Sequence, residues 1–164
     1  MKAMDVLLRP FEPEDIKPAA ALWNAIVAQG DSFPNEAEFT EEEALACFCG
    51  QTETVCAFLG DELVGMYILH PNHVGRCGHI ANASYAVKRE RRGHGIGRRL
   101  VSHSLEQAKR HGFRGLQFNA VVAGNKAAIA LYRSLGFREV GTIPGGYRLK
   151  DGSYDDLLLF FYQL

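Results

Sequence analysis

The sequence is poor in residues that build disulfide frameworks and metal centres. Its 164 residues include four cysteines, and their spacing matches no zinc site. Thiols scattered in this way are typical of a reducing compartment, so we expect a cytoplasmic protein. His70, His73 and His79 flank a turn, where histidine side chains are mostly solvated. We therefore predict no bound metal.

Long apolar runs and an excess of positive charge are also missing. No run approaches the roughly 18 residues of a membrane helix, and the first residues do not resemble a secretion signal. The net charge is -1, which is unfavourable for bulk binding to nucleic acid. These features predict a protein with neither a membrane nor a nucleic acid as its partner.

The remaining composition is that of an ordinary globular protein. Hydrophobic residues make up 47% of the chain and charged residues 23%. The length suits one domain with a substantial core, and the chain has no repeats, low-complexity tracts or linker. We predict a single domain over residues 1–164.

Strand and helix patterns alternate in the second half of the chain, which predicts an α/β fold. Thr40 and Glu43 form a capping box at the start of one helix. Alternation after residue 79 indicates two parallel strands joined by a helical crossover. The predicted strands are 6–9, 54–60, 62–70, 79–88, 114–121, 139–143 and 154–162, and the predicted helices are 13–29, one from Thr40, 96–111 and 126–135.

The most informative segment is a glycine-rich turn between the strand that ends at 88 and the helix from 96. Glycines leave room for a ligand next to the backbone. The free N–H groups at a helix start then attract phosphate oxygens. The order Arg-x-x-Gly-x-Gly differs from a dinucleotide fingerprint, and no Lys-Ser/Thr pair follows as in a nucleotide P-loop. The segment contains Arg92, Gly93, His94, Gly95, Ile96, Gly97 and Arg98.

A second motif follows about 28 residues after the glycine turn. Asn125 is a good N-cap, and Gly136 ends the helix that it begins. Tyr132 lies beside the apolar stripe of that helix. Together, the two motifs resemble the signatures of the GNAT superfamily, the acetyl-CoA-dependent N-acetyltransferases. The resemblance covers residues 55–162 well.

The resemblance implies a fold and a cofactor site. The sheet is expected to be mixed and mostly antiparallel, with splayed middle strands flanked by helices. Acetyl-CoA is expected to pair with the backbone of Tyr85, Ala86 and Val87, and its pyrophosphate with the glycine turn. By the same resemblance, Asn125 contacts the cofactor and Tyr132 is the general acid. A phenol suits that role because its ordinary pKa, about 10, exceeds the roughly 8.5 of a thiol.

The general base departs from the common GNAT pattern. Many relatives carry a glutamate on the strand that here contains Asn119, and the central strand likewise has Asn82. Amides cannot take up a proton at neutral pH. Glu36, Glu41 and Glu62 are the only candidate bases we single out, and the alternative is an amine that arrives deprotonated.

Two asparagines give the main indication of the acceptor. Asn82 and Asn119 resemble substrate residues of a GNAT branch that contains yeast acetyltransferases of proline analogues. That parallel implies a small amino or imino acid, but paired asparagines can instead satisfy the backbone of splayed strands. Phe33 and Phe39, in a loop where both look exposed, are expected to line the pocket.

Three other functions stay open at this stage. They are acetylation of a protein N-terminus or lysine, acetylation of a polyamine or aminoglycoside, and binding of acetyl-CoA by a non-catalytic sensor. The apolar strand at 154–162 is expected either to be wholly buried or to contribute to a dimer interface. The chain is therefore predicted to be a monomer or a homodimer.

Overall fold

A seven-stranded sheet forms the centre of the structure, a computed structural model that describes residues 5–164. The strand order is β1-β2-β3-β4-β5-β7-β6, and only β4 and β5 pair in parallel. The mostly antiparallel α/β fold predicted from the sequence is thus confirmed. The strands are β1 Val6–Pro10, β2 Glu53–Leu59, β3 Glu62–Pro71, β4 Ile80–Val87, β5 Gly115–Val122, β6 Arg138–Arg148 and β7 Tyr154–Gln163.

In the described part of the chain, four α-helices cover the two faces of the sheet. They are α1 Ile16–Gln29, α2 Glu41–Cys49, α3 Ile96–Arg110 and α4 Lys126–Ser134. The capping box before α2 is present, since the Glu43 N–H donates to Thr40 Oγ1 and the Thr40 N–H donates to Glu43 Oε2. The helix predicted from Pro13 is divided: a 3-10 turn at Pro13–Asp15 precedes α1.

Each face of the sheet has its own apolar core. One core packs α3 and α4 against the sheet, and the other packs α1 and α2 against the opposite face. Phe33 belongs to the second core: it is 8% exposed, and its ring centroid lies 4.5 Å from that of Trp23. The expectation that Phe33 is exposed was therefore wrong, because Trp23 covers it.

The last two strands differ from the prediction in length and burial. β6 extends to Arg148, well beyond the predicted end at 143, because a register shift between Ile143 and Tyr147 accommodates the Pro-Gly-Gly segment. β7 lies between β5 and β6. Phe160 is fully buried, while the leucines of β7 are only half-buried. The strand is thus not wholly buried, and both of its edges are paired within the chain.

β4 and β5 separate soon after they meet. Their parallel pairing comprises only Ile80 with Gly115 and Ala81 with Leu116. β5 then departs from regular pairing with β7 between Phe118 and Val121. The result is a gap in the middle of the sheet, as the resemblance implied.

Candidate active site

A cleft of about 250 Å³ opens where β4 and β5 diverge. Its walls come from the two strands, the start of α4 and the loop at residues 32–34. Five of the predicted site residues line it together, although they lie up to 50 positions apart in the sequence. They are Asn82, Tyr85, Asn119, Asn125 and Tyr132.

Part of the β4 backbone faces the gap rather than β3. The Asn72 N–H donates to the Ile80 carbonyl and the Lys88 N–H to the Val64 carbonyl, both on the β3 side. Because backbone groups alternate along an antiparallel strand, those of Tyr85 and Val87 face the gap. Those of Ala86 face β3, where Ala86 pairs with Met66. Of the three residues predicted to pair with a cofactor, Tyr85 and Val87 have backbone groups that face the gap, and Ala86 does not.

The glycine turn forms an open cradle of N–H groups at the start of α3. Gly93 and Gly95 both have φ of +80°, and no atom lies within 4 Å of a Cβ built on either. Gly95 is the N-cap of α3. Within residues 5–164, no protein acceptor meets the N–H groups of residues 93–98. Unpaired N–H groups at a helix N-terminus suit an anion such as pyrophosphate.

The arginines of the turn are held by neighbouring elements. Arg92 donates to the Gln29 side chain on α1 at 3.0 Å and to the Val87 carbonyl at 3.3 Å. Arg98 donates to Ser134 Oγ on α4 at 2.6 Å. Their charges therefore flank the cradle from both faces of the sheet, while its interior is made of backbone N–H groups.

Tyr132 presents a phenol to the cleft in an aromatic surrounding. Its ring lies 4.6 Å from that of Phe118 and 5.8 Å from that of Phe160. Among the described residues, none forms a hydrogen bond with the Tyr132 hydroxyl. Burial raises the pKa of Tyr132 well above its ordinary value. The phenol is consequently protonated at neutral pH and its proton is not committed to a protein acceptor.

Tyr85 also lines the cleft, but its proton is engaged. Ser104 is fully buried and its hydroxyl donates to the Val101 carbonyl at 2.7 Å. The Ser104 oxygen lies 2.7 Å from the Tyr85 hydroxyl. Because the only Ser104 proton is already used, Tyr85 is the donor in this bond. Tyr132 is thus better suited than Tyr85 to protonate a leaving group.

The two predicted asparagines meet at a third one. The Nδ2 groups of Asn82 and Asn119 both donate to Asn72 Oδ1, at 3.2 and 2.6 Å. Asn72 precedes β4 and does not line the cleft. Asn72 belongs to a segment that resembles the same GNAT branch, but its contact with the two asparagines could not be predicted because it depends on the turn between β3 and β4.

The same motifs lie within the part of the chain that matches a known protein family. The profile of the Acetyltransferase (GNAT) family matches residues 19–137, which include the cradle, the gap and Tyr132. The chain belongs to this family. It is 31% identical over 158 residues to N-acetyltransferase aca1 of Schizosaccharomyces pombe, an alignment that covers 85% of this chain and 76% of aca1.

Solved acetyltransferase structures share the whole fold. A GCN5-related N-acetyltransferase from Kribbella flavida has a TM-score of 0.90 at 32% identity and covers 97% of this chain and 98% of its own. The protein yncA from Salmonella typhimurium, solved with its cofactor acetyl-CoA, has a TM-score of 0.91 at 21% identity and covers 97% and 94%. The family resemblance predicted from the two motifs is thus confirmed.

The GNAT cleft of this chain has no carboxylate among its lining residues. Glu62 forms ion pairs with Lys88 and Arg91 at 2.7 and 2.6 Å, and Glu36 is paired with Arg148. Glu41 lies in the exposed first turn of α2. None of these three glutamates is placed to accept a proton in the cleft.

The two phenylalanines that were expected to line the pocket, Phe33 and Phe39, differ in their contacts. Phe33 lines it, but Phe39 does not: the Phe39 backbone forms hydrogen bonds with the Asn24 side chain, and the Phe39 ring stacks on Trp23.

Between residues 5 and 164, no group of three or more metal-ligating side chains is found. In the same part of the chain, no helix is long and apolar enough to cross a membrane.

Proposed function

We propose that this GNAT protein transfers the acetyl group of acetyl-CoA to the amine of a small molecule by direct attack. The observation that carries the proposal is the gap between β4 and β5: Tyr132 lines the cleft in this gap, and the N–H cradle follows the end of β4. The open Cβ positions of Gly93 and Gly95 and the unpaired N–H groups fit a pyrophosphate.

The chain's own groups divide the work of the reaction. Acetyl-CoA supplies an activated acetyl group as a thioester. The cradle would bind its pyrophosphate, and the gap-facing backbone of Tyr85 and Val87 would align its pantetheine arm. The Val87 N–H would polarise the thioester carbonyl as an oxyanion donor. Tyr132 would then donate its proton to the departing thiolate, and the proton that the attacking nitrogen loses would return to Tyr132 through solvent, which restores the phenol.

Direct attack is favoured over a covalent acetyl-enzyme because no cysteine lines the cleft. Cys56 is buried in the core beneath α1 and α2, and burial raises the pKa of its thiol to about 12. Cys49 and Cys77 are exposed elsewhere. A nucleophilic thiol would need a base and an accessible position next to the thioester, and none of these has both.

The cleft favours a small acceptor over a protein. A volume of about 250 Å³ suits a compact molecule. The loop at 32–34 closes one side and is anchored by Tyr147, whose buried hydroxyl donates to the Phe33 carbonyl at 2.7 Å. The absence of a lining carboxylate disfavours polyamines and aminoglycosides, which carry several positive charges. An amino or imino acid with its amine deprotonated fits these features best.

Thiol release from acetyl-CoA tests the proposal across amino acids, imino acids, polyamines, aminoglycosides and peptides. We expect the wild type to turn over amino or imino acids. In Tyr132→Phe, kcat should fall about 100-fold, the lower end of general acid catalysis. Because the Tyr132 hydroxyl has no protein hydrogen bond, the variant should keep the thermal stability of the wild type. Binding of acetyl-CoA without turnover of any amine would instead indicate a sensor.

A further inference from the structure

Asn72 connects the two asparagines of the cleft, although it does not line the cleft itself. Its own N–H donates to the Ile80 carbonyl at 2.8 Å, which holds it at the start of β4. Its Oδ1 accepts from Asn82 on β4 and from Asn119 on β5. These bonds begin just beyond Ala81, where the backbone pairing of the two strands stops. One side-chain oxygen therefore bridges the mouth of the gap.

The backbone determines which way these amides face. The Ala83 N–H donates to Asn82 Oδ1 at 2.8 Å, and a backbone N–H can only donate. Asn82 must therefore turn its Nδ2 group towards Asn72, and Asn72 accepts the hydrogen bond through its Oδ1 atom. The same oxygen receives the Nδ2 group of Asn119, whose Oδ1 accepts from Gln117 at 2.9 Å.

This orientation has a chemical consequence for the cleft. The carbonyl oxygens of Asn82 and Asn119 each accept one hydrogen bond, and each Nδ2 group uses one of its two N–H bonds on Asn72. Each asparagine therefore keeps one N–H that can donate to a ligand, beside the second lone pair of its carbonyl oxygen. Among residues 5–164, no lysine or arginine lines the cleft. A carboxylate is a strong acceptor for such donors because the bonds are charge-assisted.

We propose that Asn72 is a positioning residue that fixes Asn82 and Asn119 as donors to a carboxylate on the acceptor. The inference rests on the proposed function and adds the group that selects the acceptor. Without Asn72, both amides lose their common acceptor, and the exposed Asn119 is free to rotate its oxygen towards the substrate. Selectivity for acids over neutral amines should then decrease.

Two substitutions separate this role from a structural one. Asn72→Leu removes the acceptor, and Asn72→Asp keeps an acceptor oxygen but adds a negative charge behind the two amides. His73→Leu is the matched control, because His73 is the exposed next residue of the same turn. The probes are acetyl-CoA with a set of free amino and imino acids, each measured beside its own carboxamide.

We expect Asn72→Leu to raise KM for the acids about tenfold, the effect of one hydrogen bond to a charged group. Its kcat should change less than about twofold, and its Kd for acetyl-CoA should match the wild type. Asn72→Asp should keep the wild-type KM for the carboxamides and raise it for the acids alone. His73→Leu should behave as the wild type.

Several results would overturn the inference, and they differ from a failure of the proposed function. A wild-type KM for the acids in Asn72→Leu would show that the bridge does not position the donors. If Asn72→Leu does not fold, equal changes for acids and carboxamides in Asn72→Asp would overturn the inference in the same way. A wild-type protein that acetylates none of the probes would sink the proposed function and this inference with it.

Discussion

The glycine cradle gives the sharpest test of how this protein would hold its cofactor. Gly95 has φ of +80° and begins α3, and nothing lies within 4 Å of a Cβ built on it. Gly95→Ala would therefore cause no clash in the free protein, but it would place alanine in the left-handed region at a cost of about 1–2 kcal/mol. Relief of this strain would turn the N–H groups that follow.

The expected loss of binding follows from those N–H groups. Displacing one of them removes a hydrogen bond to a charged phosphate oxygen, which is worth about 1.5–3 kcal/mol. Since each 1.4 kcal/mol corresponds to about a factor of ten, acetyl-CoA should bind about 10- to 100-fold more weakly. Isothermal titration calorimetry with acetyl-CoA would measure the change directly.

Gly60→Ala is the matched control for backbone strain. Gly60 lies in the hairpin between β2 and β3, has φ of +60° and also has no atom within 4 Å of its Cβ position. It should lose similar stability in chemical denaturation and keep the wild-type Kd for acetyl-CoA. Equal Kd values for the wild type and both variants would refute the assignment of the cradle.

Three further predictions concern the sheet, an ion pair and the pH dependence. Gly115→Ala should lower the free energy of unfolding by about 1–3 kcal/mol in denaturant titrations, because its Cβ would lie 2.5 Å from the Phe161 ring. Gly141→Ala on β6 is the control: its Cβ would meet no atom within 4 Å, so the free energy of unfolding should not decrease in this way. The Arg9 guanidinium lowers the pKa of Asp15 through two hydrogen bonds, so the stabilisation is present above about pH 4 and is lost as the pH falls through the lowered pKa. Asp15→Asn should cost about 2 kcal/mol at pH 7 and much less at about pH 2; equal losses at both pH values would contradict this. We expect kcat to increase with pH as the amine deprotonates. Because burial raises the pKa of Tyr132, the phenol keeps its proton and kcat should show no decrease at any pH up to about 10. A decrease at lower pH that persists in Tyr132→Phe would implicate another acid.

The two sequence motifs predicted which helices begin beside the cleft because their chemistry is local. The glycines set the turn before α3, and Asn125 caps α4 by accepting from the Ala128 N–H. Once both helices are placed, Tyr132 must lie beside the gap. The separation of β4 and β5 also came from the family resemblance, and the short pairing of these strands confirms it.

The parts that were missed depend on contacts between distant segments. Phe33 is buried because Trp23 packs against it and Tyr147 holds its carbonyl, across a separation of 114 residues. Asn72 meets Asn119 across 47 residues. Glu62 was a candidate base until the structure paired it with two basic residues. No local pattern encodes these pairings, so sequence reasoning could not find them.

The length of β6 was missed for a different reason. Pro144, Gly145 and Gly146 form a segment that is typical of a turn. β6 is the edge strand of the sheet, where an irregular segment can be accommodated without breaking a second ladder. Asp156 also supports it, since its carboxylate accepts the Gly145 N–H at 2.9 Å.

The most direct test of the account is to measure both products of one reaction in the same sample. The purified protein is incubated with acetyl-CoA and amino or imino acids, while free thiol is titrated and the acceptor is weighed by mass spectrometry. Direct transfer predicts one thiol released for each acceptor that has gained an acetyl group on nitrogen, with no acetyl group left on the protein. Thiol release that accumulates as acetylated protein, or an acceptor that stays unmodified, would contradict it.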